Sequence, residues 1–189
     1  MRRIRFNWRD RIVLTPMEII PSFKHFWKYT LGILFVFGLQ PGGILFQNIL
    51  SDGVPYLFAG ISAIFSGAFL SPLLLPLLPF RSFAAKGFIA GALLTGGLFY
   101  ISSTFTIPFL DWLMFHHNPW FTGYAAIFIP AASSFLTLQF TGSTTFTNMS
   151  GVYKEHKYAL PLYIGAAVLA VIFSVVHKIT LWNSTGGQV

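Results

Sequence analysis

From Val54 to Leu78 the chain runs for 25 residues without a charged side chain. A helix needs roughly 20 mostly apolar residues to cross a bilayer. Four other stretches qualify: about His25 to Leu39, Gly87 to Ile107, Trp120 to Phe140 and Tyr158 to Leu181. The first is the shortest and includes Lys28, whose ammonium can snorkel to a surface. The expected architecture is an all-α integral membrane protein, a bundle of five transmembrane helices. Composition agrees. Of 189 residues, 54% are hydrophobic, 18% aromatic and 9% charged, against about 25% charged in soluble domains. So apolar a chain is neither disordered nor a soluble enzyme. Without cysteine it has no disulfide, iron–sulfur cluster, cysteine-ligated zinc or thiol nucleophile.

The charges give an orientation. Arg2, Arg3, Arg5, Arg9, Arg11, Lys24 and Lys28 precede or begin the first stretch. Arg81 and Lys86 lie between the second and third, and Lys154 and Lys157 between the fourth and fifth. With five crossings these eleven fall on one side, and only Lys178, with Asp52 and Asp111, on the other. The positive-inside rule then places the N-terminus in the cytoplasm and the C-terminus outside the cell membrane. Trp27, Trp112, Trp120 and Trp182 sit near span ends, as interfacial anchors do. The net charge of +7 fits this topology better than a nucleic-acid groove. The domains expected are a basic juxtamembrane segment, 1–23, a transmembrane domain, 24–182, and a tail, 183–189. The first apolar stretch starts too late for a secretory signal peptide.

Glycines crowd the second and third spans: Gly60, Gly67, Gly87, Gly91, Gly96 and Gly97. Their expected role is close helix packing. Ser102, Ser103, Thr104 and Thr106 in the third span, and Ser133, Ser134, Thr137 and Gln139 in the fourth, are expected to bond neighbouring helices or their own backbone. A polar path between these spans is the alternative. Pro72, Pro76 and Pro79 are expected to bend or end the second helix. No span interior carries the acidic or basic residue that marks ion-coupled transport.

Two segments hold the remaining signals. Thr15, Pro16 and Glu18 form a helix-start pattern, with Thr15 as cap and Glu18 three residues on. The stretch from Gln139 to Lys157 reads as a polar loop. Its Gly142 and Gly151 permit turns, and Thr141, Ser143, Thr144, Thr145, Thr147 and Ser150 supply hydroxyls. Backbone amides there suit an anion-binding nest. His116, His117 and His177 all fall towards the outer face, a weak pattern for haem or metal ligation.

Three segments in order resemble one family. They are Asp10 to Glu18 (DRIVLTPME), Gly67 to Gly87 (GAFLSPLLLPLLPFRSFAAKG) and Phe140 to Glu155 (FTGSTTFTNMSGVYKE) running on to Pro161. The chain resembles the membrane domain of corrinoid proteins of the mercury-methylation type, relatives of the corrinoid iron–sulfur protein of acetyl-CoA synthesis. That family has a five-helix membrane domain behind a soluble corrinoid-binding domain whose cap-helix cysteine faces cobalt. This chain has no cysteine and only about twenty residues before its first span, so no methyl-transfer residue is carried over.

What the resemblance implies is a non-catalytic membrane anchor that binds no cofactor by itself. A soluble corrinoid protein would dock in trans, with a small ferredoxin-like reductant as a second partner. The docking residues would be Arg11, Thr15, Glu18, Arg81, Lys86, Thr141, Gly142, Ser143, Thr144, Thr145, Thr147, Ser150, Gly151, Lys154, Glu155 and Lys157. Membrane lipid is the other expected partner, and nucleic acid is not expected. The rival readings are a permeation protein for a metal ion or small molecule, and a haem-binding electron-transfer subunit using His177 with His116 or His117.

Overall fold

The computed structural model of the chain describes residues 27–32, 39–40, 43–44, 52–74, 77, 82–105, 118–141 and 149–185. A short helix, α1, covers 27–32. Strands β1 (Leu39–Gln40) and β2 (Gly43–Ile44) pair antiparallel, Leu39 opposite Ile44 and Gln40 opposite Gly43. This pair is a local exception to the all-helical expectation, and the Pro41-Gly42 sequence between the strands is a turn-forming one. Within the expected first span, 27–32 is helix and Leu39 is strand. The rest of that span lies outside the described residues.

Four long helices follow: α2 (Val54–Leu74), α3 (Phe83–Thr104), α4 (Pro119–Thr141) and α5 (Met149–Thr185). Each is long and apolar enough to cross a membrane.

Helix α2 is built in three parts. Val54–Ile64 is α-helical, Phe65–Leu70 winds as a π-helix and Ser71–Leu74 is α-helical again. Pro72 explains the wider turn. It has no N–H, and its ring crowds the carbonyl four residues earlier. A turn closed by Ser71 N–H to Ser66 O relieves that crowding. The described helix runs as far as Leu74. Pro76 and Pro79 lie outside the described residues.

Helix α4 is central and packs against α2, α3 and α5. Glycines set how near its neighbours come. A Cβ on Gly91 of α3 would lie 2.6 Å from Pro130 Cα of α4, and one on Gly87 2.8 Å from Ser134 Cα. One on Gly67 of α2 would lie 3.0 Å from Ser133 O. The packing role expected of these three therefore holds. It does not extend to Gly96 and Gly97, where a Cβ meets nothing within 4 Å.

The expected polar loop from Gln139 to Lys157 is largely helix. Helix α4 runs on to Thr141 and α5 begins at Met149, leaving 142–148 between them. With 37 residues α5 is about 55 Å long, well beyond a hydrocarbon core of about 30 Å. Its first turns continue the helix past the apolar part, which is why composition marked them as loop.

Small polar side chains are buried beside an apolar core of Tyr56, Phe121, Tyr124 and Ile129, while many large apolar ones lie on the surface. Ser66, Ser71, Ser133, Ser134, Thr137 and His177 are buried. Leu93 and Tyr100 on α3, and Leu162, Val171 and Val175 on α5, are exposed.

Candidate functional site

Hydroxyls stitch the helices along α4. The Ser133 hydroxyl donates to Gly87 O of α3 at 2.8 Å and stands 3.0 Å from Ser66 Oγ of α2. It has one proton, so Ser66 donates to it. Ser134 donates to Ala84 O at 2.7 Å, and the Tyr163 hydroxyl of α5, 2.8 Å away, therefore donates to Ser134. Thr137 donates to Ser133 O at 2.8 Å. On α3, Thr95, Ser102 and Ser103 bond carbonyls of their own helix. Ser102, Ser103, Ser133, Ser134 and Thr137 thus bond as expected, and Thr106 lies outside the described residues.

At one end of the bundle stands an aromatic cluster with a polar centre. The Tyr56 hydroxyl of α2 lies 2.7 Å from His177 Nδ1 of α5. Tyr29 of α1 donates to Tyr56 O at 3.2 Å, so the Tyr124 hydroxyl of α4, 2.8 Å from that of Tyr29, donates to Tyr29. Tyr56 packs edge-on to Phe121 and tilted on Tyr124, with centroids 5.1 and 4.7 Å apart. Phe128 stacks on both Tyr124 and Tyr29. His177 is fully buried, and among the described residues its Nε2 has no hydrogen-bond partner. Asp52 and Lys178 lie within electrostatic reach of it. The Lys178 ammonium stands over the Trp182 ring, 5.9 Å from its centroid.

At the other end α5 grips the start of α3. The Glu155 carboxylate accepts from Phe83 N at 3.0 Å, Ala84 N at 3.5 Å and Ser82 Oγ at 3.3 Å. Ser82 Oγ in turn accepts from Ala85 N at 3.3 Å. Serine is a favoured N-cap residue, and a carboxylate suits the positive end of the helix dipole. Lys86 sits one turn in, its ammonium 5.9 Å from the Phe83 ring centroid.

The expected docking residues are thus differently disposed. Glu155 is turned inward as a cap. Lys86 is half-buried, whereas Lys154 and Lys157 are exposed. Thr141 ends α4, and Ser150 and Gly151 lie in the first turn of α5. Arg11, Thr15, Glu18, Arg81, Gly142, Ser143, Thr144, Thr145 and Thr147 lie outside the described residues, as does the expected anion nest. So do His116 and His117. The remaining histidine of that pattern, His177, is engaged with Tyr56. Among the described residues no three His, Cys, Asp or Glu side chains gather as metal ligands.

The tyrosine cluster was not anticipated from sequence. Its one signal is that Tyr56 and Tyr124 place a hydroxyl inside otherwise apolar spans, where it needs a partner. No family model, curated protein or solved structure matches the chain.

Proposed function

We propose that this chain is a multi-pass protein of the cytoplasmic membrane. It crosses five times, with its N-terminus in the cytoplasm, and serves as anchor and docking subunit for a soluble partner. The four long apolar helices carry the membrane part of this reading. Many large apolar side chains face outward while Ser66, Ser133, Ser134 and Thr137 are buried, an arrangement suited to a lipid solvent. The anchor part is supported by the hydroxyls of α3 and α4. Thr95, Ser133, Ser134 and Thr137 spend theirs on helix carbonyls, which favours a packed bundle over a permeation path.

The docking face in this reading is the end that carries Lys86, Lys154 and Lys157 among the described residues, and the charge pattern of the sequence assigns Arg11 and Arg81 to the same side. A partner recruited there carries acidic groups. Its identity as a corrinoid protein, with methyl transfer and a ferredoxin-like reductant, rests on the resemblance of the three segments alone.

The test is gentle purification of the tagged chain from its native cells, followed by an absorption spectrum. Corrinoid bands with an extra soluble polypeptide support the full reading. A copurifying acidic polypeptide without those bands keeps the anchor and removes the corrinoid. No polypeptide, together with uptake of solute into sealed vesicles, replaces the anchor by permeation. One observation favours the haem alternative: the buried Nε2 of His177 has no partner among the described residues. A Soret band abolished by His177→Ala would support it, and protein made with ample haem but lacking the band would remove it.

A further inference from the structure

The two exposed lysines of α5 face away from the bundle. The inward side of α5 is marked by Glu155 on the start of α3, buried Ala159, Tyr163 on Ser134, buried Ala170 and His177 on Tyr56. At about 100° per residue, Tyr153, Lys157, Lys154 and Tyr158 fall within an arc of about 140° on the opposite side. Tyr153 and Tyr158 are 72% and 78% exposed. Among the described residues Lys154 and Lys157 have no hydrogen-bond or ion-pair partner.

Further along the helix the same arc turns apolar. Ile164, Val168, Ile172 and Val175 lie on it, and all are exposed. Gly165 sits among them, and a Cβ there would meet nothing within 4 Å, so the helix surface is notched. Ile164 and Val168 lie about 10 and 16 Å along the axis from Lys157. That matches one leaflet of hydrocarbon, about 15 Å deep. Cations and tyrosines therefore stand at headgroup level above a stripe of acyl-chain length.

We propose that this face of α5 binds one anionic phospholipid. Its phosphate sits between Lys154 and Lys157, and an acyl chain lies along Ile164, the Gly165 notch and Val168. Charge complementarity and the unbroken run from cation to hydrocarbon name the occupant. The proposal rests on the membrane reading and narrows the docking reading, because it gives these two lysines to lipid and leaves Lys86 and Arg81 to a soluble partner.

The test uses the full chain in mild detergent, with lipid adducts counted by native mass spectrometry. Phosphatidylglycerol should be retained over phosphatidylcholine by roughly tenfold or more. The K154Q/K157Q double variant should lose that preference, and G165L should weaken retention of both lipids. Equal retention of the two lipids by the unaltered chain would overturn the proposal. So would a double variant that keeps the preference, and one that keeps it while losing an acidic copurifying polypeptide would return the lysines to the soluble partner. A chain that leaves the membrane in a carbonate wash fails earlier, at the membrane reading.

Discussion

The Tyr56 hydroxyl and His177 Nδ1 lie 2.7 Å apart across 121 residues of sequence. This bond joins α2 to α5 inside a packed aromatic cluster. Tyr56→Phe removes it and leaves both ring nitrogens of the buried His177 without a partner among the described residues. The expected cost is about 1–3 kcal/mol, read as a lower unfolding temperature in detergent. The double variant Tyr56→Phe/His177→Leu should cost less than the two single changes summed, since each removes the same bond. Additive effects would mean that the bond does not hold the helices.

Close approach of α3 to α4 predicts opposite outcomes for two glycines on one helix. Gly91→Ala drives a methyl against Pro130 Cα, and overpacking of this kind costs about 1–3 kcal/mol. Gly96→Ala enters open space and gains helix propensity, up to about 1 kcal/mol. Thermal unfolding of the two variants side by side checks the difference in sign.

Glu155 links the ends of α5 and α3. Glu155→Ala removes the acceptor of three donors, with an expected loss of about 1 kcal/mol. Glu155→Gln keeps an acceptor oxygen without the charge and should fall between. Thermal unfolding ranks the variants, and an alanine variant equal to the unaltered chain would deny the cap.

Ser134 of α4 and Tyr163 of α5 are joined by a hydrogen bond of 2.8 Å. Ser134→Ala leaves the Tyr163 hydroxyl without its acceptor. A double-mutant cycle with Tyr163→Phe should give a coupling of about 0.6 kcal/mol, the size usual between membrane helices. Zero coupling would place the two hydroxyls apart.

Much of this architecture is legible in the sequence for a simple reason. Uncharged runs of span length, such as 54–78, report the solvent of a helix rather than its partners. The four long helices, the packing glycines Gly67, Gly87 and Gly91, and the bonding of span hydroxyls follow from that. What escaped depends on which way a side chain turns. Glu155 reads as one more charge of a polar segment, yet α5 begins six residues before it and aims it at Phe83 N. His177 reads as an outer-face histidine, and only the packing of both α2 and α5 on α4 brings Tyr56 to it. Pro72 announces a disturbance in α2, but only the backbone shows that it takes the form of a π-helix.

The most direct measurement of the central claim is the sidedness of the two ends of α5. The chain has no cysteine, so single substitutions at Tyr153 and Asn183, both exposed, can each be labelled alone. With a membrane-impermeant maleimide, Tyr153→Cys should react only in inside-out vesicles and Asn183→Cys only in intact cells. Labelling of both positions from the same side would contradict a membrane-spanning α5 and the account built on it.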